Sequence, residues 1–230
     1  MLKLDCTLKD YIKLYESAVD INSLNTNIKS NKEYIAYITK QKGNPVKLCS
    51  YKNSFKLIPY DTSMFEFYKN NPLFWLIPLE LPDFTIKGFI VRSFTQKVYR
   101  TIVFSDVSLP YGFYLFSDFK LGDPIFITEG TRDCMFLNTI YPYALSSNMG
   151  QISNDIITIL KCLTDKVILV PDMDEKGLAL FKINKNSLTK EGLLVYTLKY
   201  SLKDLGDYFY TNKNNHNLLV TQVQNILKII

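Results

Sequence analysis

Histidine, paired cysteines and long apolar runs are all scarce in this chain. Its 230 residues hold one histidine, His216, so no histidine-based metal site can be built. The four cysteines, Cys6, Cys49, Cys134 and Cys162, lie far apart with no C-x-x-C pair. Neither a zinc ribbon nor a disulfide framework is expected from that spacing, and a reducing compartment is the natural setting. No apolar run approaches the ~20 residues of a membrane span. The opening residues, MLKLDCTLKDYIKLYE, are charged throughout and have no signal-peptide core, so a cytoplasmic protein without a membrane partner is expected. Repeats and low-complexity tracts are also missing. What is present is ordinary for a folded protein: 47% hydrophobic and 21% charged residues.

The net charge of +5 is unevenly placed. Residues 1–120 carry 16 Lys/Arg against 11 Asp/Glu, and residues 121–230 carry 11 of each. A basic half beside a half whose acids cluster suits a polyanionic partner, although a lysine-rich surface without function has the same composition. The pattern of elements changes along the chain as well. Residues 9–19 and 32–40 have helical character. After Asn70 come short aromatic and β-branched runs, LFWLIPLEL, FTIKGFIVRSF and KVYRTIVF, with Pro72, Pro78 and Pro82 excluding helix. From residue 124 strands and helices alternate: strands at 125–127, 143–145, 167–170 and 193–198, and helices at 132–140, 153–163 and 178–187. An amphipathic helix at 217–230 follows. Alternation at this spacing means βαβ units and a mainly parallel sheet. The expected fold is an α+β N-terminal subdomain at 1–121, an α/β domain at 122–210 and a C-terminal helix at 211–230. The turn Leu121-Gly122-Asp123-Pro124 marks the boundary.

Three acidic clusters follow three of these strands. Glu129-Gly130 and Asp133 follow IFIT, Asp172 and Asp174 follow ILVP, and Lys203-Asp204 with Asp207 follow VYTLKYSL. In open α/β sheets ligands bind beyond the carboxyl ends of the strands. Acids at i and i+2 project to one side, which suits a divalent cation; a solvated loop capping the next helix would use the same residues. Magnesium takes oxygen ligands from a few carboxylates, waters and substrate phosphates. Arg92, Lys97 and Arg100 stand among Phe94 and Tyr99. Such a mixture can contact phosphates and stack on unpaired bases, or simply form the polar face of a strand. Lys176, beside the acid pair, can meet a triphosphate or neutralise an aspartate.

The spacing ITEGTRD (127–133) then DMDEKG (172–177) resembles the TOPRIM domain of primases, topoisomerases and related nucleases. YALSSNMGQIS (143–153) is similar to the segment joining those motifs in bacterial-type primases, and KDLGDYF (203–209) to their lysine-aspartate motif. Upstream, LIPLELPDFTIKGFIVRSF (76–94) and SLPYGFYLF (108–116) resemble the primase stretches that precede the TOPRIM domain. The order matches over roughly residues 70–210, so the chain is similar to the RNA-polymerase core of a bacterial- or phage-type DNA primase. The resemblance implies template-directed synthesis of short RNA primers from NTPs on single-stranded DNA. Asp172, Asp174, Asp204 and Asp207 would then bind metal, with Glu129 a metal-proximal acid or general acid/base and Asp133 beside it. Gly130 and Gly177 would allow close backbone approach. Arg92, Lys97, Arg100, Lys176 and Lys203 would contact nucleotide or template. The cofactor would be Mg2+, with Mn2+ able to substitute and no zinc. Partners would be the single-stranded template, NTPs, the RNA primer and a replicative helicase, in a host cytoplasm if the chain is phage-encoded.

The chain also departs from the family. A zinc-binding N-terminal module has no counterpart, and no helicase-binding domain follows residue 210. Lys176 stands where a small residue is usual, and Leu205-Gly206 intervene before Asp207. Two other readings share the acids: a TOPRIM nuclease, which leaves 76–94 unexplained, and a non-catalytic nucleic-acid-binding or replisome protein. A topoisomerase would need a further domain bearing its tyrosine.

Overall fold

The computed structural model describes residues 7–17, 19–20, 56–59, 73–83, 85–93, 99–104, 106, 109–112, 116, 118–138, 140–148, 150–201, 203, 205 and 213–230. Two compact units are present, one ending at Asp106 and one running mainly from Val107 to Ile230.

The first unit begins with helix α1 (Leu8–Ser17). Asp10 closes its first turn, accepting from the Thr7 N–H at 2.8 Å and the Thr7 hydroxyl at 2.7 Å. Strands β1 (Val19–Asp20), β2 (Lys56–Pro59), β3 (Leu73–Glu80), β4 (Ile86–Ser93) and β5 (Tyr99–Val103) form one antiparallel sheet in sequential order. Val19, read from sequence as the end of a helix, is a β-branched residue paired with Leu57 instead. The expected helix at 32–40 lies outside the described residues. Leu76, Ile77, Phe89, Ile90 and Val91 are buried, and Tyr11 of α1 stacks on Phe89 with ring centroids 6.0 Å apart.

Glu80 follows a register shift at the end of β3, and burial alone pushes its carboxyl up to about 7. The folded state therefore holds the proton more tightly than the unfolded chain. The associated stability is complete below the ordinary pKa near 4.5 and is lost as pH rises through about 7. Replacing Glu80 with Gln should flatten that decline and stabilise the sheet at pH 8 by about 1–3 kcal/mol, after discounting for partial exposure. Denaturation followed by fluorescence of Trp75, the single tryptophan and a β3 residue, measures this. Identical pH profiles for the two proteins would refute it.

The second unit is built on a parallel sheet of β6 (Ile125–Thr128), β7 (Ala144–Ser146), β8 (Lys166–Val170) and β9 (Leu194–Thr197), in the order β7-β6-β8-β9. Helices α2 (Thr131–Asn138), α3 (Asn154–Leu163) and α4 (Glu175–Lys190) make the crossovers, and α5 (Lys213–Ile229) follows. β6 and β8 are buried nearly throughout, as strands covered on both faces must be. Ser153 caps α3 by accepting from the Ile156 N–H, and Ile156, Ile157 and Leu160 face the core with Ile127, Leu145 and Leu169. The chain before the 121–124 turn also belongs here. Tyr111 exchanges backbone hydrogen bonds with Ser146 at 3.2 and 2.9 Å, and Phe116 joins the core. The compact unit thus starts upstream of the boundary expected at 121/122, and it includes the C-terminal helix, which begins at Lys213 rather than 217.

Strand order decides where a site can form. From β6 the chain moves outward to β7; from β8 it moves the opposite way to β9. The crevice between the carboxyl ends of β6 and β8 is therefore the switch point of the sheet, where neighbouring connections diverge and leave room for a ligand.

Candidate active site

Glu129 is the first residue beyond β6, and Asp172 and Asp174 lie two and four residues beyond β8. Thr128 pairs with Val170 in register, so all three acids leave the same sheet edge, at the switch point. Backbone contacts anchor the Glu129 turn. The Thr128 hydroxyl donates to Gly130 O at 3.0 Å, and the Ser146 hydroxyl donates to Glu129 O at 3.1 Å. Glu129 is half-buried, and that burial pushes its carboxyl up; Lys176 opposes the shift and Asp174 adds to it. Glu129, Asp174 and Lys176 therefore act on one another across the crevice.

Asp174 caps α4. Its Oδ1 accepts from the Gly177 N–H at 2.8 Å, and its Oδ2 meets Lys203 Nζ at 3.4 Å. The Gly177 bond chiefly holds its carboxyl below the ordinary range, with Lys203 and Lys176 contributing. This cap starts the helix at Glu175, three residues before the sequence pattern places it, and puts Gly177 inside the first turn. A Cβ on Gly177 would lie 2.6 Å from Asp172 Cβ, so glycine lets α4 close against the acid loop. The loop is also held from the far side: Met173 N–H donates to Lys203 O at 2.6 Å, and buried Tyr200 donates its hydroxyl to Pro171 O at 2.6 Å.

Of the other residues expected at the site, Asp133 lies in the first turn of α2, against Gly130, where a Cβ would meet its Oδ2 at 2.9 Å. Lys176 and Lys203 are both brought to the acids. Asp204, Asp207 and Lys97 lie outside the described residues. Arg92 and Arg100 belong to β4 and β5, in the first unit, paired with Tyr99 and Val91. Sequence reasoning missed Tyr200, Ser146 and Asn148, whose Nδ2 donates to Leu109 O at 2.8 Å. Asn148 has φ 58, in the left-handed region that asparagine tolerates, and the SSNMG run is the signal that could have pointed to it.

Among the described residues no three acids close into a metal-binding group by themselves. Two lysines stand beside these acids instead, Lys203 at 3.4 Å from Asp174 and Lys176, and both offset part of the Asp174 charge. The donor types nevertheless suit a hard divalent cation: Glu129, Asp172 and Asp174 are carboxylates leaving one sheet edge, and Asp174 adds to the upward push that burial gives the Glu129 carboxyl.

Residues 126–209 match the family described as Toprim-like. Across the chain the fold is that of solved primase catalytic cores. A DnaG primase catalytic domain bound to ssDNA matches with TM-score 0.64 and 16% identity, over 95% of this chain and 80% of that one. The RNA polymerase domain of Mycobacterium tuberculosis primase DnaG matches with TM-score 0.65 and 14% identity, over 95% and 84%. The primase fragment of the bacteriophage T7 primase-helicase protein matches with TM-score 0.54 and 17% identity, over 74% and 66%. No curated protein matches. At such identities the likeness is one of fold.

Proposed function

From a Toprim-like domain set in the fold of a primase catalytic core, we propose that this chain is a DNA primase, joining NTPs into short RNA primers on a single-stranded DNA template. The observation that carries the reading is the meeting of Glu129, the Asp172/Asp174 loop and two lysines at the β6/β8 switch point. Primer growth is attack of a 3′-hydroxyl on the α-phosphate of an incoming NTP, a reaction dominated by positioning and charge stabilisation. Glu129, Asp172 and Asp174 would hold Mg2+, which when bound neutralises phosphate charge and orients the leaving pyrophosphate. Asp204 and Asp207 complete the set by resemblance. Lys176 and Lys203 would meet the triphosphate, and Glu129, with its raised carboxyl, is suited to hold or pass a proton at the reacting hydroxyl.

Partners follow the same reading: single-stranded DNA, which the similar DnaG catalytic domain binds, and a replicative helicase, as in the phage protein whose primase is joined to one. No helix among the described residues is long and apolar enough to cross a membrane, and a cytoplasmic setting goes with this role. The deciding experiment is template-dependent incorporation of labelled NTPs on single-stranded DNA with Mg2+ or Mn2+. Primer products support the reading; cleavage of labelled nucleic acid instead would mark a nuclease.

A further prediction concerns the template track over residues 87–100. Arg92→Ala should weaken binding of a short single strand and reduce its log–log salt slope by roughly 0.7 for each phosphate the protein no longer neutralises. Asp174→Asn should leave that slope unchanged. Affinities measured across a salt series test this, and equal slopes for Arg92→Ala and the parent would move the track elsewhere.

A further inference from the structure

Pairing between β8 and β9 closes with the Leu198 N–H donating to Leu169 O at 3.0 Å. Just beyond stands Pro171, which has no N–H to carry the ladder on. Its carbonyl, in a buried residue, still needs a donor. Tyr200 supplies one: the residue is 6% exposed, and its hydroxyl donates to Pro171 O at 2.6 Å. Two residues on, the Met173 N–H donates to Lys203 O, also at 2.6 Å. Pro171 O belongs to the peptide unit before Asp172, and the Met173 N–H to the unit after it. Each unit is planar, so holding one of its atoms restrains the whole plane. Together the two bonds restrain both planes that flank Asp172, and with them the direction of its Cα–Cβ bond. Asp174 is fixed separately, by the Gly177 N–H and Lys203 Nζ.

We propose that Tyr200 is a positioning residue for Asp172: its hydroxyl, together with the Lys203 carbonyl, holds the Asp172 backbone in one arrangement before a cation arrives. A ligand held in advance loses little freedom on binding, so the effect of Tyr200 is read as cation affinity. The metal-binding part of the inference rests on reading Asp172 as a cation ligand; the restraint on its backbone does not. A Tyr200 that only supported the fold would change stability and nothing at the acid loop. The same unit holds a bond for comparison. Tyr141 donates its hydroxyl to Pro124 O at 2.9 Å, at the amino end of β6 and so at the sheet edge opposite the acids.

Tyr200→Phe and Tyr141→Phe each delete one hydroxyl and keep the ring. Both should melt somewhat earlier than the parent, because each leaves a proline carbonyl without its donor. Only Tyr200→Phe should loosen the acid loop. In the metal-free protein, hydrogen exchange at the Met173 amide should be slow in the parent and in Tyr141→Phe, and roughly 10-fold faster in Tyr200→Phe. Mn2+ affinity, measured from the paramagnetic resonance signal of the free ion, should fall roughly 10-fold in Tyr200→Phe and stay at the parent's value in Tyr141→Phe. Unchanged Met173 exchange in Tyr200→Phe, or equal losses of Mn2+ affinity in the two variants, overturns the proposal. If Tyr200→Phe does not fold, Tyr200→His, with a donor on a shorter side chain, takes its place with the same two readouts. If the parent binds no Mn2+, the metal reading of Asp172 falls, and the exchange rates alone decide whether Tyr200 positions its backbone.

Discussion

If the chain is a primase, Asp174→Asn should eliminate nucleotide incorporation while leaving the protein folded. Both halves of that outcome come from the two bonds its carboxylate makes. Oδ1 caps α4 through the Gly177 N–H, and asparagine caps helices as well as aspartate, so the helix start survives. The charge does not survive. It faces Lys203 at 3.4 Å and acts on Glu129 across the crevice, so its loss would weaken the hold on the cation proposed for this site. Changes to groups that only support a metal's ligands typically cost 10–100-fold in affinity or activity, so incorporation should fall by more than about 100-fold here. Melting and circular dichroism should match the parent protein. Asp174→Ala, which loses the cap too, should in addition melt earlier. Primer synthesis by Asp174→Asn near the parent's rate would remove Asp174 from the site.

Gly177→Ala should lower both stability and activity, through crowding alone. The added Cβ would lie 2.6 Å from Asp172 Cβ and would also strike the Asp172 backbone. Neither neighbour is the flexible end of a long side chain, so α4 or the acid loop must move. Overpacking of this kind costs about 1–3 kcal/mol. A shift of about 1 Å in the Asp172–Asp174 loop could cost on the order of 100-fold in rate. Gly150→Ala is the matched control: no atom lies within 4 Å of the position a Cβ would take, and the residue is not in the left-handed region. That change should be neutral or slightly stabilising. Measuring denaturation midpoints and incorporation rates for the pair tests the argument. A Gly177→Ala protein as stable and active as Gly150→Ala would show that the close approach has no consequence.

The amino-acid sequence by itself determined the elements of the α/β half and the acids at their ends. Ile125–Thr128 and Lys166–Val170 are short, largely apolar runs bounded by acids and turn-forming prolines or glycine, and such patterns depend only on neighbouring residues. Boundaries set by a single bond are less legible. α4 starts at Glu175 because the Asp174 carboxylate caps it, which overrides the helix-weakening glycine two residues on. Strand order was decided only by tertiary structure. Nothing local in β6 or β8 says that they are neighbours, or that their connections diverge to opposite sides, yet that divergence opens the crevice. The same holds for Lys203, which reaches Asp174 from beyond β9 because Tyr200 and the Met173–Lys203 backbone bond fasten the two loops together. Asn184 reads in sequence as an ordinary polar helix residue. Only packing shows it 7% exposed on the wall of a cavity shared with Glu129, because burial is a property of what surrounds a side chain and not of the side chain itself.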